Sequence, residues 1–210
     1  YKRQDNYLRE MESEIQNITR SGIRPELLLH CCCAPCASSV IPVLSGVFDI
    51  TLFFCNPNIF PEQEYFKRLN ELEKLRGVFS EQGIKTGLLV SDYDHKGFVS
   101  AVTGLEKERE GGARCCRCFS LRLNETAKKA SELSYDYFAT TLTVSPHKNA
   151  VAVNASGLTA QKDFGSRYLV SDFKKKDGYL KSVRFCEKYG IYRQSYCCLL
   201  YTSPSPRDRG

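Results

Sequence analysis

The chain predicts an α/β fold: a parallel sheet of about five strands with helices on both faces. Two observations point there. Short apolar runs of strand length alternate with stretches whose apolar residues recur at helical spacing, the pattern of stacked βα units. And 210 residues, with neither an internal repeat nor a linker-like stretch, suit one domain with a sizeable core. Taken in order, Tyr7, Leu8, Met11, Ile15 and Ile18 mark an amphipathic helix over 5–20, ended by Gly22 and Pro25. Leu27-Leu28-Leu29-His30 is a buried strand that leads into a cysteine-rich loop, and 34–44 then reads as helix with Pro35 in its first turn. Asp49 to Phe54 is a second strand, closed by the turn Asn56-Pro57-Asn58. A long charged helix over 62–82 directs Phe66, Leu69, Leu72, Leu75 and Phe79 inward, and 84–90 is a third strand. Residues 95–103 read as helix, 105–112 as a charged connection and 118–131 as helix again. Strand four is 137–142, a further helix fits 150–162, strand five is Tyr168-Leu169-Val170, and a last helix covers 178–189. In such sheets the site lies at the carboxyl ends of the strands. The cysteine loop, the segment Thr143-Val144-Ser145-Pro146-His147 and Asp172 are therefore expected on one edge.

Composition narrows the class. With 42% apolar and 26% charged residues the chain resembles an ordinary soluble globular protein, and no apolar run approaches the ~18 residues of a membrane span. The first residues are charged and lack the apolar stretch of a signal peptide. The chain opens at Tyr1 rather than Met, which predicts loss of residues at the N-terminus. Nine of eleven cysteines sit in three tight groups, Cys31-Cys32-Cys33-Ala34-Pro35-Cys36, Cys115-Cys116-Arg117-Cys118 and Cys197-Cys198. Disulfide scaffolds of small secreted domains spread their cysteines instead, so a reducing cytoplasm is the expected compartment. The formal charge is +6, and 167–193 holds eight Lys/Arg against three acids, a patch suited to a polyanion. The segment 198–210 does not read as part of a folded domain. It resembles the translation of a transposase-type sequencing adapter, so the expected organisation is one domain over 1–197 followed by a non-native tail.

Crowded thiolates repel one another and oxidise readily, so a fold keeps them chiefly where a metal, an iron–sulfur cluster or a redox cycle uses them. The C-x2-C pairs 33/36 and 115/118 together offer four sulfurs, enough for a structural zinc or a cubane cluster. A thioredoxin-like dithiol at Cys33/Cys36 is a third reading, although it leaves Cys32 and the second pair without a role. Zinc ribbons place their knuckles about 15–20 residues apart, much closer than these groups. Cys55 and Cys186 read as small buried hydrophobes. His30 reads as a packed imidazole, His95 as a surface residue, and Asn56 and Asn58 as turn formers. Arg114 and Arg117 read as partners for an anionic cluster or for phosphate.

Five segments, taken together and in order, carry a family resemblance. They are His30 to Cys36, Phe54-Cys55-Asn56-Pro57-Asn58-Ile59, Arg114 to Leu123, Thr140 to Asn149, and Tyr192-Arg193-Gln194-Ser195-Tyr196-Cys197. Across residues 5–197 the chain resembles epoxyqueuosine reductases of the QueH type. The resemblance implies a Rossmann-like fold related to adenine-nucleotide α-hydrolase domains. The implied reaction is reduction of the epoxide of epoxyqueuosine, at the wobble position of tRNA, to the alkene of queuosine. It also implies a 4Fe–4S cluster on Cys32, Cys33, Cys115 and Cys118, and an adjacent mononuclear metal for which Cys36 is a candidate ligand. Cys31 and Cys116 are accessory on this view. The implied partners are queuosine-family tRNA and a separate electron donor, with no membrane. The family pattern ends in a redox-active pair, Tyr-Cys-Gly-Cys. Here Cys197 matches its first cysteine, while Cys198 and Leu199 follow and the partner is missing. Two other classes compete. An ATP-dependent tRNA thiolation enzyme would need a glycine-rich phosphate loop where this chain has Cys31 to Cys36. A zinc-dependent RNA-binding module would bind tRNA without needing reductant.

Overall fold

In a computed structural model, described for residues 6–194, five strands form one wholly parallel sheet. The strands are β1 (Glu26–His30), β2 (Asp49–Phe54), β3 (Gly87–Val90), β4 (Tyr137–Thr140) and β5 (Arg167–Tyr168), in the order β3-β2-β1-β4-β5. The helices are α1 (Tyr7–Ser21), α2 (Ala34–Leu44), α3 (Glu62–Glu81), α4 (His95–Ala101), α5 (Ala113–Glu132), α6 (Ala150–Phe164) and α7 (Gly178–Tyr189). Being central, β1 pairs with β2 and β4 and is covered on both faces, which is why its sequence is a continuous apolar run rather than an alternation. Leu27 and Leu29 pack with the apolar residues of α1, α2, α3 and α7, whereas Leu28 joins Ala127, Ala130 and Ala160 of α5 and α6 on the opposite face. This is the Rossmann-like α/β fold that the sequence predicts.

Among the boundaries that differ from expectation, four have a clear local reason. Strand three starts at Gly87, because Gly83 N bonds Ser80 O and Ile84 N bonds Phe79 O, a Schellman closure of α3 that occupies 83–84. Strand four stops at Thr140, whose hydroxyl accepts Leu142 N–H and turns the chain into a 3-10 segment, Thr141–Val144. Strand five is only Arg167–Tyr168, extended by one bond from Leu169 N to Phe138 O. Helix α5 begins at Ala113, five residues before the expected start. Gly112 caps it, and the Glu108 carboxylate accepts Ala113 N–H.

Phe66 also departs from expectation. It is 49% exposed, because the buried stripe of α3 runs through Tyr65, Arg68, Leu72, Leu75 and Phe79. Arg68 can lie inside because Glu64 meets its guanidinium at 2.7 Å. Across the sheet, Gly157 of α6 lies against the buried ring of Tyr168, where a Cβ would fall 2.3 Å from the ring carbon Cζ. Gly157→Ala gains up to ~1 kcal/mol of helix propensity but overpacks a fixed ring at a cost of about 1–3 kcal/mol. We expect a net loss, read as a lower denaturation midpoint in urea. An unchanged or raised midpoint would mean that α6 moves freely on β5.

Candidate metal centre

The strand order sets the location of the site. β1 lies where neighbouring strands wind off in opposite directions, and crevices at that point, beyond the carboxyl ends, hold the ligands of open α/β sheets. Cys31-Cys32-Cys33 is the turn leaving β1, and Cys33 is the N-cap of α2, in extended backbone and with no side-chain cap. The turn is stitched to the end of β4: Cys32 N–H donates to Thr141 Oγ1 at 3.2 Å, and that hydroxyl donates to Cys32 Sγ at 3.4 Å. As a result, the sulfurs of Cys32, Cys33 and Cys36 lie within 4.8 Å of one another, with Cys32 and Cys33 3.7 Å apart. Such a group can hold a metal ion.

The electrostatics of this trio favour one thiolate. Hydrogen bonds from Cys33 and Cys36 hold the Cys32 thiol well below its ordinary range despite burial, and Lys148 and Arg122 add to the effect. Cys33 is pushed up to about 12, first by its hydrogen bond to Cys32, and Cys36 is raised well above the usual thiol value by its bonds to both. Burial keeps Cys31 a thiol, which donates to Leu29 O at 3.3 Å inside the main core, away from the trio.

Helix α5 supplies the facing wall. With Gly112 as cap, Cys115 lies in its first turn and Cys118 three residues on, the same face of the helix. Gly111 N–H donates to Cys115 Sγ at 3.2 Å. Cys115 and Cys118 line the same cavity, of about 280 Å³, as Cys32, Cys33 and Cys36. Sheet and helix thus bring the two distant C-x2-C pairs to one place. Among the described residues every cysteine is a free thiol, Cys116 is exposed, and Cys55 and Cys186 are buried. Cys197 and Cys198 fall outside the described residues.

One positive charge reaches this wall from within. Arg122, one turn beyond Cys118, is 3% exposed and places Nη1 3.8 Å from Cys118 Sγ. Its Nη2 donates to Asn56 Oδ1 at 2.5 Å, and its Nε lies 3.3 Å from His30 Nε2. Asn56 in turn donates to Cys31 O at 2.9 Å. Burial first, and Arg122 second, lower His30 to about 3, so the imidazole is neutral. His30 Nδ1 lies 2.9 Å from Thr140 Oγ1 and Nε2 also lies 3.2 Å from Cys55 O, so the ring is held by Thr140, Cys55 and Arg122, and its tautomer sets which nitrogen donates. His30 is thus a packed imidazole, as expected.

Asn56 is more than a turn former, because it fixes Arg122. The sequence reading passed over Arg122, since an arginine on a helix defaults to solvent. Its place at i+4 from Cys118, on the face carrying Phe119 and Leu123, is the pattern that gives it away. Arg114, expected beside a cluster or a phosphate, instead binds Glu106 O at 3.1 Å and pins the preceding connection, and Arg117 is exposed.

Ser145, His147 and Lys148 line the cysteine cavity, as the shared-edge expectation requires. Asp172 does not; it lies in an adjoining cleft with Lys174 and Lys175, which His147 and Lys148 also line. His95, expected at the surface, is half-buried, binding Pro57 O at 2.8 Å through Nδ1 and stacking on Phe60. Two cations of the basic stretch are engaged elsewhere, Lys176 with Glu12 and Arg167 with Glu14. No helix of the described residues is long and apolar enough to cross a membrane.

A family model described as epoxyqueuosine reductase QueH matches residues 27–205. Curated relatives carry the same name. The protein of Streptococcus pyogenes is 45% identical over 94% of this chain and 78% of its own length. The Staphylococcus epidermidis protein is 39% identical over 94% and 84%, and the Thermotoga maritima protein 33% identical over 87% and 93%.

Proposed function

Because the chain belongs to the epoxyqueuosine reductase QueH family, we propose that its thiol-lined cavity is the place where the epoxide of epoxyqueuosine in tRNA is reduced to the alkene of queuosine. The enzyme is an oxidoreductase. The observation that carries the assignment of the site is the convergence of two remote C-x2-C pairs on one cavity at the β1/β4 crevice. The donor set fits an iron–sulfur group: five soft sulfurs line one cavity, one is held as thiolate, and a backbone amide and a buried guanidinium are directed at two others. Cys32, Cys33, Cys115 and Cys118 would hold a 4Fe–4S cluster, with Cys36 as a ligand of an adjacent mononuclear metal. When bound, this group supplies electrons of low potential.

The chain's own residues do the rest. Opening the epoxide and expelling its oxygen as water takes two electrons and two protons. Glu110 and His147 line the cavity and are the proton sources we assign; Oε2 of Glu110 is buried with no hydrogen-bond partner. Lys148, Lys174 and Lys175, in the cleft that continues from the cavity, suit the tRNA backbone. The wobble base then leaves its stack to reach the thiols. Electrons come from a separate donor. Cys197, which lies outside the described residues, is assigned to their relay because it matches the first cysteine of the family's redox-active pair. The domain is 1–197, with 198–210 a non-native tail, and the working compartment is the cytoplasm.

The test is anaerobic reconstitution with iron and sulfide, addition of reductant and epoxyqueuosine-containing tRNA, and mass analysis of the nucleosides. Conversion to queuosine is expected. Unchanged epoxyqueuosine with an iron-loaded, folded protein would reject the assignment.

A further inference from the structure

One wall of the cysteine cavity has no part in holding sulfur. It is built from the start of α7 and the irregular segment after it, with Tyr179, Ser182, Arg193 and Gln194 lining the cavity. Tyr179 is 38% exposed, although the helix buries itself through Gly178, Ser182 and Cys186 on another face. Its ring serves no core. Its orientation is nevertheless fixed. The Arg193 guanidinium lies 5.2 Å from the ring centroid and donates from Nη2 to the phenol oxygen at 3.2 Å and from Nη1 to Ser182 Oγ at 3.2 Å. The backbone beneath is equally constrained. Gly178 sits so close to Phe173 that a Cβ would fall 1.7 Å from that carbonyl oxygen, so no other residue fits without moving the helix start. Phe119, also on the cavity lining, is buried, so among the described lining residues the exposed rings are Tyr179 and the smaller imidazole of His147, and Tyr179 is the one a guanidinium fixes.

A rigid, half-exposed aromatic face, backed by a guanidinium and opening on a cavity with further cations, is the arrangement on which unstacked bases of single-stranded RNA are held. We propose that Tyr179, positioned by Arg193, is the stacking surface for the base extruded from the tRNA loop, holding it over the thiols. The proposal rests on the reading of the chain as a tRNA-modifying enzyme and adds to it the element that grips the base, as distinct from the lysines that meet phosphate.

The chain contains no Trp, so Tyr179→Trp introduces a single indole as reporter. The probe is a synthetic tRNA anticodon stem-loop, compared with the same hairpin whose loop nucleotides are abasic and keep only sugar and phosphate. The indole emission is expected to change on binding the loop with bases and to stay constant with the abasic loop. Tyr179→Ala should weaken binding of the base-containing loop by roughly 5- to 100-fold, the range that one aromatic–base stack supplies. The same variant should bind the abasic loop as the unaltered protein does. Tyr179→Phe, which keeps the ring and loses only the hydroxyl, should bind within about threefold of the unaltered protein, whereas a merely structural role for the Arg193 contact would make it as weak as Tyr179→Ala. Equal affinity of Tyr179→Ala and the unaltered protein, or an indole response to the abasic loop as large as to the intact one, would overturn the proposal. Because binding is read without turnover, these outcomes are separate from failure to reduce epoxyqueuosine, which would strike the enzymatic assignment instead.

Discussion

Replacing Cys115 by serine is expected to give a folded protein that forms no stable iron–sulfur chromophore and converts no detectable epoxyqueuosine. The residue is 6% exposed in the first turn of α5, opposite the Cys32/Cys33/Cys36 trio, and accepts a hydrogen bond from Gly111 N–H. A serine oxygen keeps that bond, so the cost to folding is small, about 1–2 kcal/mol for a buried hydroxyl in place of a thiol. It is a hard, neutral donor, however, and thiolates are what iron–sulfur groups take. The measurement pairs visible absorbance after anaerobic reconstitution with far-ultraviolet circular dichroism, and with nucleoside analysis after turnover. A dithiol enzyme working through Cys33 and Cys36 would keep its activity in Cys115→Ser, and that result would exclude a centre shared between the two pairs.

Arg122→Met is expected to have the second large effect. Methionine approximates the volume of the stem, so packing survives, yet Asn56 Oδ1 loses a donor inside the protein and His30 and Cys118 lose the guanidinium beside them. A stranded buried acceptor costs about 1–3 kcal/mol. Removing a buried charge from a site of low dielectric returns part of that. A net loss of roughly 2–4 kcal/mol follows for the thiol-lined site in its anionic form, where the cation also stabilises the Cys32 thiolate. Arg122→Lys should rescue little, because an ammonium cannot present a planar fork to Asn56, His30 and Cys118 at once. Chemical denaturation of the reconstituted protein measures this directly. A variant as stable as the parent would show that the network is incidental.

The strands and their order of burial were legible because the apolar runs are continuous in the central strand and because helical and strand periods alternate cleanly. The cysteine groups were legible for a different reason: sulfur clustered at two points has few structural uses. What the sequence reading missed was charge turned inward. Arg122, Arg68 and Asn56 are polar residues that a chain ordinarily leaves in water, and each is buried because a partner meets it: Asn56 for Arg122, Glu64 one turn earlier on the same helix for Arg68, and Cys31 O for Asn56. The pairings of Asn56 with Arg122 and with Cys31 O are set by the fold and not by spacing, whereas Glu64 and Arg68 stand at the i,i+4 spacing of a helical ion pair. The early start of α5 was missed because a helix was expected only from the first aliphatic residues. With cysteine counted as apolar, positions 115, 118, 119 and 123 already mark the buried face. Tyr179 escaped notice for the opposite reason, since an exposed aromatic on a basic helix is unremarkable until the cavity beside it is known.

The central claim is that α2 and α5 grip one iron-containing centre. Anomalous diffraction at the iron edge, from crystals of anaerobically prepared protein, tests it most directly. Iron density within bonding distance, about 2.3 Å, of the sulfurs of Cys32, Cys33, Cys115 and Cys118 is the predicted result. Iron confined to Cys32, Cys33 and Cys36 with the α5 thiols unligated, or zinc in its place, would contradict it.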